Sequence, residues 1–356
     1  MSPERLLITG GAGFIGSALV RRAVRSGHRV LNLDKLTYAG SLTTVAEVSE
    51  EPGYEFVQGD IADRALVRSV IERFRPTAIA HLAAESHVDR SIDGPAAFIE
   101  TNVVGSFVLL DEALSYFRTL AGAEAERFRF LHVSTDEVFG SLGAEGAFDE
   151  RSPHRPNSPY SASKAAADHL ARAWFHTYGL PVVTTNCTNN YGPFQFPEKL
   201  IPLVILRALE ERTLPVYGRG ENVRDWLYVD DHVDALLLAL RVGRPGETYA
   251  LGGREERRNI EVVREICRVL DVLAPSANVP DRRTLIEFVT DRPGHDYRYA
   301  MDISKAEREL GWTPKESFES GLTRTVRWYL TNRDWCTRVL QESRYAGGRL
   351  GEAVRA

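Results

Sequence analysis

The stretch Arg5-Leu6-Leu7-Ile8-Thr9-Gly10-Gly11-Ala12-Gly13-Phe14-Ile15-Gly16 decides the fold. Its first five residues read as a strand, and a helical pattern opens at Phe14 and runs to Ser26. The glycines at 10, 13 and 16 have separate tasks: a tight turn, close approach of backbone to a pyrophosphate, and close packing of helix on sheet. The helix start, at Phe14 and Ile15, offers free N–H groups and a positive dipole end to phosphates. A glycine triplet alone is a weak sign; its place between strand and helix gives it weight.

Outward from this turn, β-rich runs alternate with helical ones. Further strands are expected at Arg29–Leu33, Glu55–Gln58, Ala78–His81, Phe128–Ser134 and Pro181–Asn186. Helices are expected near Arg64–Phe74, Ala97–Phe117 and Ser158–Tyr178, while Ala121–Arg127 reads as a surface loop. Such alternation argues for an α/β protein with a Rossmann-type doubly wound parallel sheet, its ligands at the strand ends. After Tyr191 the texture changes. Pro193, Pro197, Pro202, Gly218 and Gly220 punctuate the chain, and irregular stretches separate helices expected at Asp231–Val242, Ile260–Leu270 and Phe318–Leu330. The expected division is a dinucleotide-binding domain over residues 1–190, with some later segments returning to it, a smaller C-terminal α/β substrate-binding lobe over 191–345, and a loose tail over 346–356.

Composition closes off several functions. The 356 residues are 43% apolar and 26% charged, which excludes a disordered or fibrous chain. With 44 basic against 49 acidic residues, nothing points to nucleic acid or an anionic membrane surface. The longest apolar stretches, such as Leu200–Leu206, fall far short of the roughly 20 residues of a membrane span. The first residues run straight into a strand, without the pattern of a secretory signal. Cys187, Cys267 and Cys336 form no disulfide framework and no ligand pair, and the scattered histidines show no metal spacing, so the expectation is a cytoplasmic, metal-free protein.

Asp34 ends the second strand, 18 positions after Gly16. A carboxylate there accepts hydrogen bonds from adenosine ribose hydroxyls and repels a 2′-phosphate, so the expected cofactor is NAD rather than NADP. Lys35 beside it is a mild counter-sign. Asp60-Ile61, after the third strand, is expected to flank the adenine, on weaker ground because Asp is common in turns.

Tyr160-Ser161-Ala162-Ser163-Lys164 places a phenol and an ammonium four apart, on one helix face. A free phenol, with pKa near ~10, is a poor base at neutral pH. A nearby cation favours the phenolate, which could take a proton from a sugar hydroxyl while hydride leaves the same carbon. Alone, this spacing is a common surface pair; after a glycine fingerprint it reads as catalytic. Ser134-Thr135-Asp136-Glu137-Val138-Phe139-Gly140 emerges directly from buried-strand material at the ligand edge of the sheet. Two carboxyls in one pocket can be driven apart in acidity and serve as acid and base. A plain oxidoreductase needs neither; removal of water needs both.

With Asp34–Gly40, His81–Asp89, Asn189–Pro193, Pro197–Leu200, Arg224–Val229 and Asp291–Asp296, these pieces resemble the extended short-chain dehydrogenase/reductase family and, closely, its branch that dehydrates dTDP-glucose. The matching pieces span residues 8 to about 300. The Thr-Asp-Glu triplet and the last two pieces are specific to the branch; the glycine and Tyr/Lys pieces mark the superfamily. Phe139 departs from the tyrosine expected there.

The resemblance implies that Tyr160, assisted by Lys164, deprotonates the hydroxyl on carbon 4 of the sugar as NAD takes hydride, with Thr135 bonded to that hydroxyl. Glu137 would remove the carbon 5 proton, Asp136 would protonate the hydroxyl leaving carbon 6, and hydride would return to carbon 6. It adds Leu36, Thr37, Leu82, Ala83, Ala84, Ser86, Thr101 and Asn190 to the cofactor side, with Glu85 lining the cofactor or sugar. For the substrate it implies Ser86, Asn189, Lys199, Leu200, Pro215, Tyr217, Arg224, Asn259, Arg292 and His295, the arginines being suited to a diphosphate by their fixed fork of donors. It also implies a homodimer built on the two long helices. Three other readings stand beside this one. An epimerase or decarboxylase shares the cofactor pieces and Tyr160/Lys164, but an epimerase has no use for Asp136 and Glu137. A GDP-mannose dehydratase is expected to carry a neutral residue at 136. A non-catalytic dinucleotide-binding regulator would have no reason to keep all four reactive side chains.

Overall fold

The computed structural model describes residues 4–291 and 294–343, so Arg292 and the expected tail over 346–356 lie outside the described residues. The strands in chain order are β1 (Arg5–Thr9), β2 (Arg29–Asp34), β3 (Tyr54–Gln58), β4 (Ala78–His81), β5 (Arg129–Thr135), β6 (Val182–Cys187), β7 (Asn189–Tyr191), β8 (Leu214–Tyr217), β9 (Val223–Tyr228), β10 (Thr248–Leu251), β11 (Glu256–Arg258) and β12 (Ile286–Val289). Seven of them form one sheet in the order β10-β6-β5-β4-β1-β2-β3, with every pairing parallel.

The sheet is parallel because its strands are apolar on both sides and must be covered twice. Alternate residues supply the two cores. Leu6, Ile8 and Leu131 pack with Leu19 of helix Phe14–Arg25 and Leu236 of helix Val229–Val242. Leu7, Ile79 and Phe130 pack on the other face with helices Arg64–Phe74, Ser106–Phe117 and Pro159–Tyr178. Each fully buried leucine contributes roughly 1.5–3 kcal/mol. A third core surrounds Tyr191, Trp226 and Tyr228, between helices Leu200–Leu209, Asn259–Leu273 and Phe318–Thr331. Beside it lie two small sheets, β11-β9-β7 and β12-β8. The edge strand β10 joins the large sheet beside β6 from beyond residue 191.

Two expected elements differ. Ala97–Phe117 is not one regular helix: a short helix Pro95–Phe98 passes into wider π turns over Ile99–Gly105 before helix Ser106–Phe117. The widening accompanies a close approach, since a Cβ on Gly105 would lie 2.7 Å from Ile61. Ala121–Arg127 is not a loop; Gly122–Arg127 closes into a short helix, as its alanines and glutamates favour.

Candidate active site

Strand order reverses between β1 and β4, and the loops leaving these strands diverge to open a cleft at their C-terminal ends. Its floor is the glycine turn. Gly10 has φ +74°, and a Cβ there would stand 2.6 Å from the Ala83 nitrogen in the loop after β4. A Cβ on Gly16 would stand 2.0 Å from the Gly10 carbonyl oxygen. The Gly16→Ala variant is therefore expected to lose about 1–3 kcal/mol of stability and most of its bound dinucleotide, measured by thermal melting and by nucleotide released on denaturation.

Asp34 closes the far end. Its Oδ2 accepts from the Ala12 N–H and its Oδ1 from the Leu36 N–H, both at 2.8 Å, so the glycine turn and the turn after β2 are tied to one carboxylate. Burial pushes that carboxyl up, and the two N–H bonds oppose this. Lys35 is paired with Asp60 at 2.5 Å, which answers the counter-sign: its charge already faces a carboxylate. A cradle closed to side chains, an acidic strand end and a helix N-terminus fit a dinucleotide without a 2′-phosphate.

At the other end stand the reactive groups. Helix Pro159–Tyr178 starts sharply at Ser158, whose hydroxyl accepts from the Ser161 N–H, with Pro159 in the first turn. This sets Tyr160 and Lys164 against β5. Asn102 locks the helix to the cleft loop, accepting from the Glu85 N–H and donating to the Glu85 carbonyl and to Ser163 Oγ, all within 2.9 Å. Lys164 Nζ donates to the Val133 carbonyl at 2.8 Å. Burial lowers the Lys164 ammonium, and Asp168, one turn further and bonded to His132 Nε2 at 2.9 Å, opposes that. Tyr160 departs from expectation. Burial, reinforced by the charge of Glu137, holds its phenol well above its ordinary value, and Lys164 does not bring it down. The Lys164 charge acts instead on His132, Asp168 and Cys187.

Asp136 is buried at the end of β5, and its Oδ1 accepts from Thr135 Oγ1 at 3.2 Å. Burial first, then the neighbouring Glu137, push its carboxyl up to about 8, so it is largely protonated at neutral pH. Glu137 is half-buried and points its backbone N–H to Thr135 Oγ1. One acid and one base in a shared pocket is an arrangement able to add and remove protons in a single elimination.

The cleft brings together Gly10, Gly13, Phe14, Ile15, Gly16, Asp34, Lys35, Thr37, Asp60, Ile61, Leu82, Ala83, Ala84, Glu85, Ser86, Thr101, Thr135, Asp136, Glu137, Tyr160, Lys164, Asn189, Asn190 and Lys199. Leu36 serves through its N–H to Asp34 and is not in the lining. Six expected substrate residues among those described do not line the cleft either. Leu200 starts a helix and packs on the third core. Pro215 and Tyr217 lie on β8, where the Tyr217 hydroxyl donates to Asp89 Oδ2 at 3.2 Å. Asn259 opens a helix, giving its N–H to the Asn222 carbonyl. His295 bonds Asp291 Oδ1 through Nδ1 at 2.7 Å. Arg224, also outside the lining, is not a surface pair with Asp225: it is buried, stacks on Tyr299 and donates to the carbonyls of Val223, Tyr297 and Asp296. Its charge is nonetheless felt at Asp136.

Sequence reading missed Cys187, Thr188, Gln195, Phe196 and Glu198, which also line the cleft. The first two end or follow β6, next to β5 in the sheet, and their strand-end position was the available signal. Glu198 stands inside the motif Pro197–Leu200, where only the last two residues drew notice.

The fold and the cleft define an extended short-chain dehydrogenase/reductase. Residues 7–325 match the family model described as GDP-mannose 4,6 dehydratase. A dTDP-glucose 4,6-dehydratase of Xanthomonas campestris pv. campestris (strain B100) is 57% identical, covering 98% of this chain and 99% of its own. DesIV, a dTDP-glucose 4,6-dehydratase from Streptomyces venezuelae solved with NAD and TYD bound, is 47% identical with TM-score 0.85, over 94% of this chain and 99% of its own. The Bacillus anthracis dTDP-glucose 4,6-dehydratase, solved with NAD, is 44% identical with TM-score 0.84, over the same shares. The chain belongs to the dTDP-glucose 4,6-dehydratase family.

Proposed function

We propose that this chain converts dTDP-glucose to dTDP-4-keto-6-deoxyglucose, keeping NAD bound throughout. The observation that carries the reading is the pair of carboxyls leaving β5 into the same cleft as Tyr160, one of them held protonated by burial. Bound NAD supplies the acceptor for hydride from carbon 4 and the donor that returns it to carbon 6.

Tyr160 Oη takes the proton of the carbon 4 hydroxyl, and Thr135 Oγ1 orients that hydroxyl. Lys164 Nζ, held on the Val133 carbonyl, keeps a positive charge behind the phenol. The ketone formed at carbon 4 acidifies carbon 5, and the Glu137 carboxylate removes that proton. Asp136 gives its proton to the hydroxyl departing from carbon 6. Lys199, whose Nζ donates to the Ser86 carbonyl, would line the nucleotide slot, and half-buried Asn189 would face the substrate diphosphate.

The choice of dTDP-glucose rests on the relatives' names, while the family model's description names GDP-mannose. Asp136 favours the former, as a neutral residue is expected there in the latter. The test is incubation with dTDP-glucose and mass analysis: the expected product is lighter by one water, and a product of unchanged mass would make this an epimerase. We further assign residues 1–190 with returning segments to the cofactor and 191–345 to the nucleotide sugar. Among the described residues no helix is long and apolar enough to cross a membrane, which is in keeping with a cytoplasmic enzyme. A homodimer is supported by Ile99, Val104, Phe107 and Tyr178, which stay exposed on the two helical stretches expected to pair.

A further inference from the structure

We propose that Tyr38, Glu198 and Arg90 form a clasp across the cleft that sets how long the dinucleotide stays bound, an inference resting on the NAD reading above. Tyr38 lies in the turn after β2, between Thr37 and Ala39, which line the cleft. Its hydroxyl donates to Glu198 Oε1 at 2.8 Å, from 160 residues away in the chain. The Arg90 guanidinium, from the segment after β4, lies over the same ring, 3.6 Å from its centroid. Three stretches that wall the cleft on different sides therefore meet on one aromatic ring.

The join is strong for a physical reason. The Glu198 side chain is 1% exposed, and burying a carboxylate is costly unless it is hydrogen-bonded and faced by cations. Tyr38 supplies the hydrogen bond, and the charges of Lys199 and Arg90 act on the same carboxyl. Opening the cleft at this point breaks those contacts together. The turn that carries Tyr38 is also the one anchored by the Leu36 N–H to Asp34 Oδ1, so its position is the position of the ribose-binding edge. A cofactor returned to its starting form in every turnover need not leave, and a bond across its exit serves that economy.

The test measures release of NAD, not activity. Enzyme loaded with radiolabelled NAD is diluted into excess unlabelled NAD, for wild type, Tyr38→Phe, Glu198→Gln and the double variant. Each single variant is expected to release NAD about tenfold faster or more, as loss of a hydrogen bond to a charged group implies. The double variant should be no faster than the faster single one, because both remove the same bond. Arg90→Ala, which leaves Glu198 and Tyr38 in place, should also speed release and covers the case of a Glu198 variant that does not fold. Release within twofold of wild type in Tyr38→Phe and Arg90→Ala, both folded by circular dichroism, overturns the clasp. Independent, multiplying effects in the double variant overturn it too. Wild type that retains no NAD at all overturns the cofactor reading, and the clasp with it.

Discussion

Tyr160→Phe is expected to cut formation of bound NADH by about 10²–10⁴-fold, the range for removing a positioned general base. The substitution deletes one oxygen and leaves the ring contact with Phe98 intact, so the fold should persist. Two neighbours are poorly placed to stand in: Lys164 Nζ is engaged by the Val133 carbonyl, and the Asp136 carboxyl is largely protonated at neutral pH. Single-turnover absorbance of NADH after mixing with dTDP-glucose reads this step alone. The phenol is held well above its ordinary value by burial and by Glu137. A pKa raised in this way leaves less phenolate at neutral pH, so the wild-type oxidation step should accelerate as pH rises. The variant should lose that dependence. Equal NADH formation in wild type and variant would remove Tyr160 from the mechanism.

Asp136→Asn should give the complementary result. Bound NADH should still form, while release of water falls by about 10²–10⁴-fold. The amide keeps the shape and lacks the transferable proton. The sign of the pH effect follows from the carboxyl being pushed up to about 8. Below that pH it is protonated and can assist the leaving hydroxyl; above it the acid form drains away. Wild-type dehydration should therefore decline on the alkaline side of about 8, a limb absent from the variant. Glu137→Gln should also block elimination after oxidation, because it removes the base proposed for carbon 5. Unchanged dehydration in both carboxyl variants would sink the division of roles.

Much of this was legible in the order of residues. The strands of the large sheet up to β6 are apolar runs bounded by turn residues, and the glycine turn, Asp34 and the Tyr160/Lys164 spacing depend on local geometry alone. Elements governed by distant contacts were harder to read. The π turns at Ile99–Gly105 carry Thr101, which lines the cleft, and they pack closely at Gly105 on Ile61, far away in the chain. Family motifs pointed to Tyr217, Arg224, Asn259 and His295, but only tertiary structure shows these four outside the main cleft, bonded to Asp89, backbone carbonyls or Asp291. The acidity of Tyr160 was misjudged because spacing reports proximity to Lys164 and says nothing of how deeply both are desolvated.

The late arrival of β10 has a practical side. It pairs with β6, and helix Val229–Val242 before it covers the β1 face with Val233, Leu236 and Leu240. Cutting the chain near residue 190 would strip an edge and half a roof from the nucleotide platform. On the proposed division of the chain, a chimaera that grafts another relative's sugar specificity is expected to need residues 229–251 of this chain retained, rather than a single C-terminal block replaced.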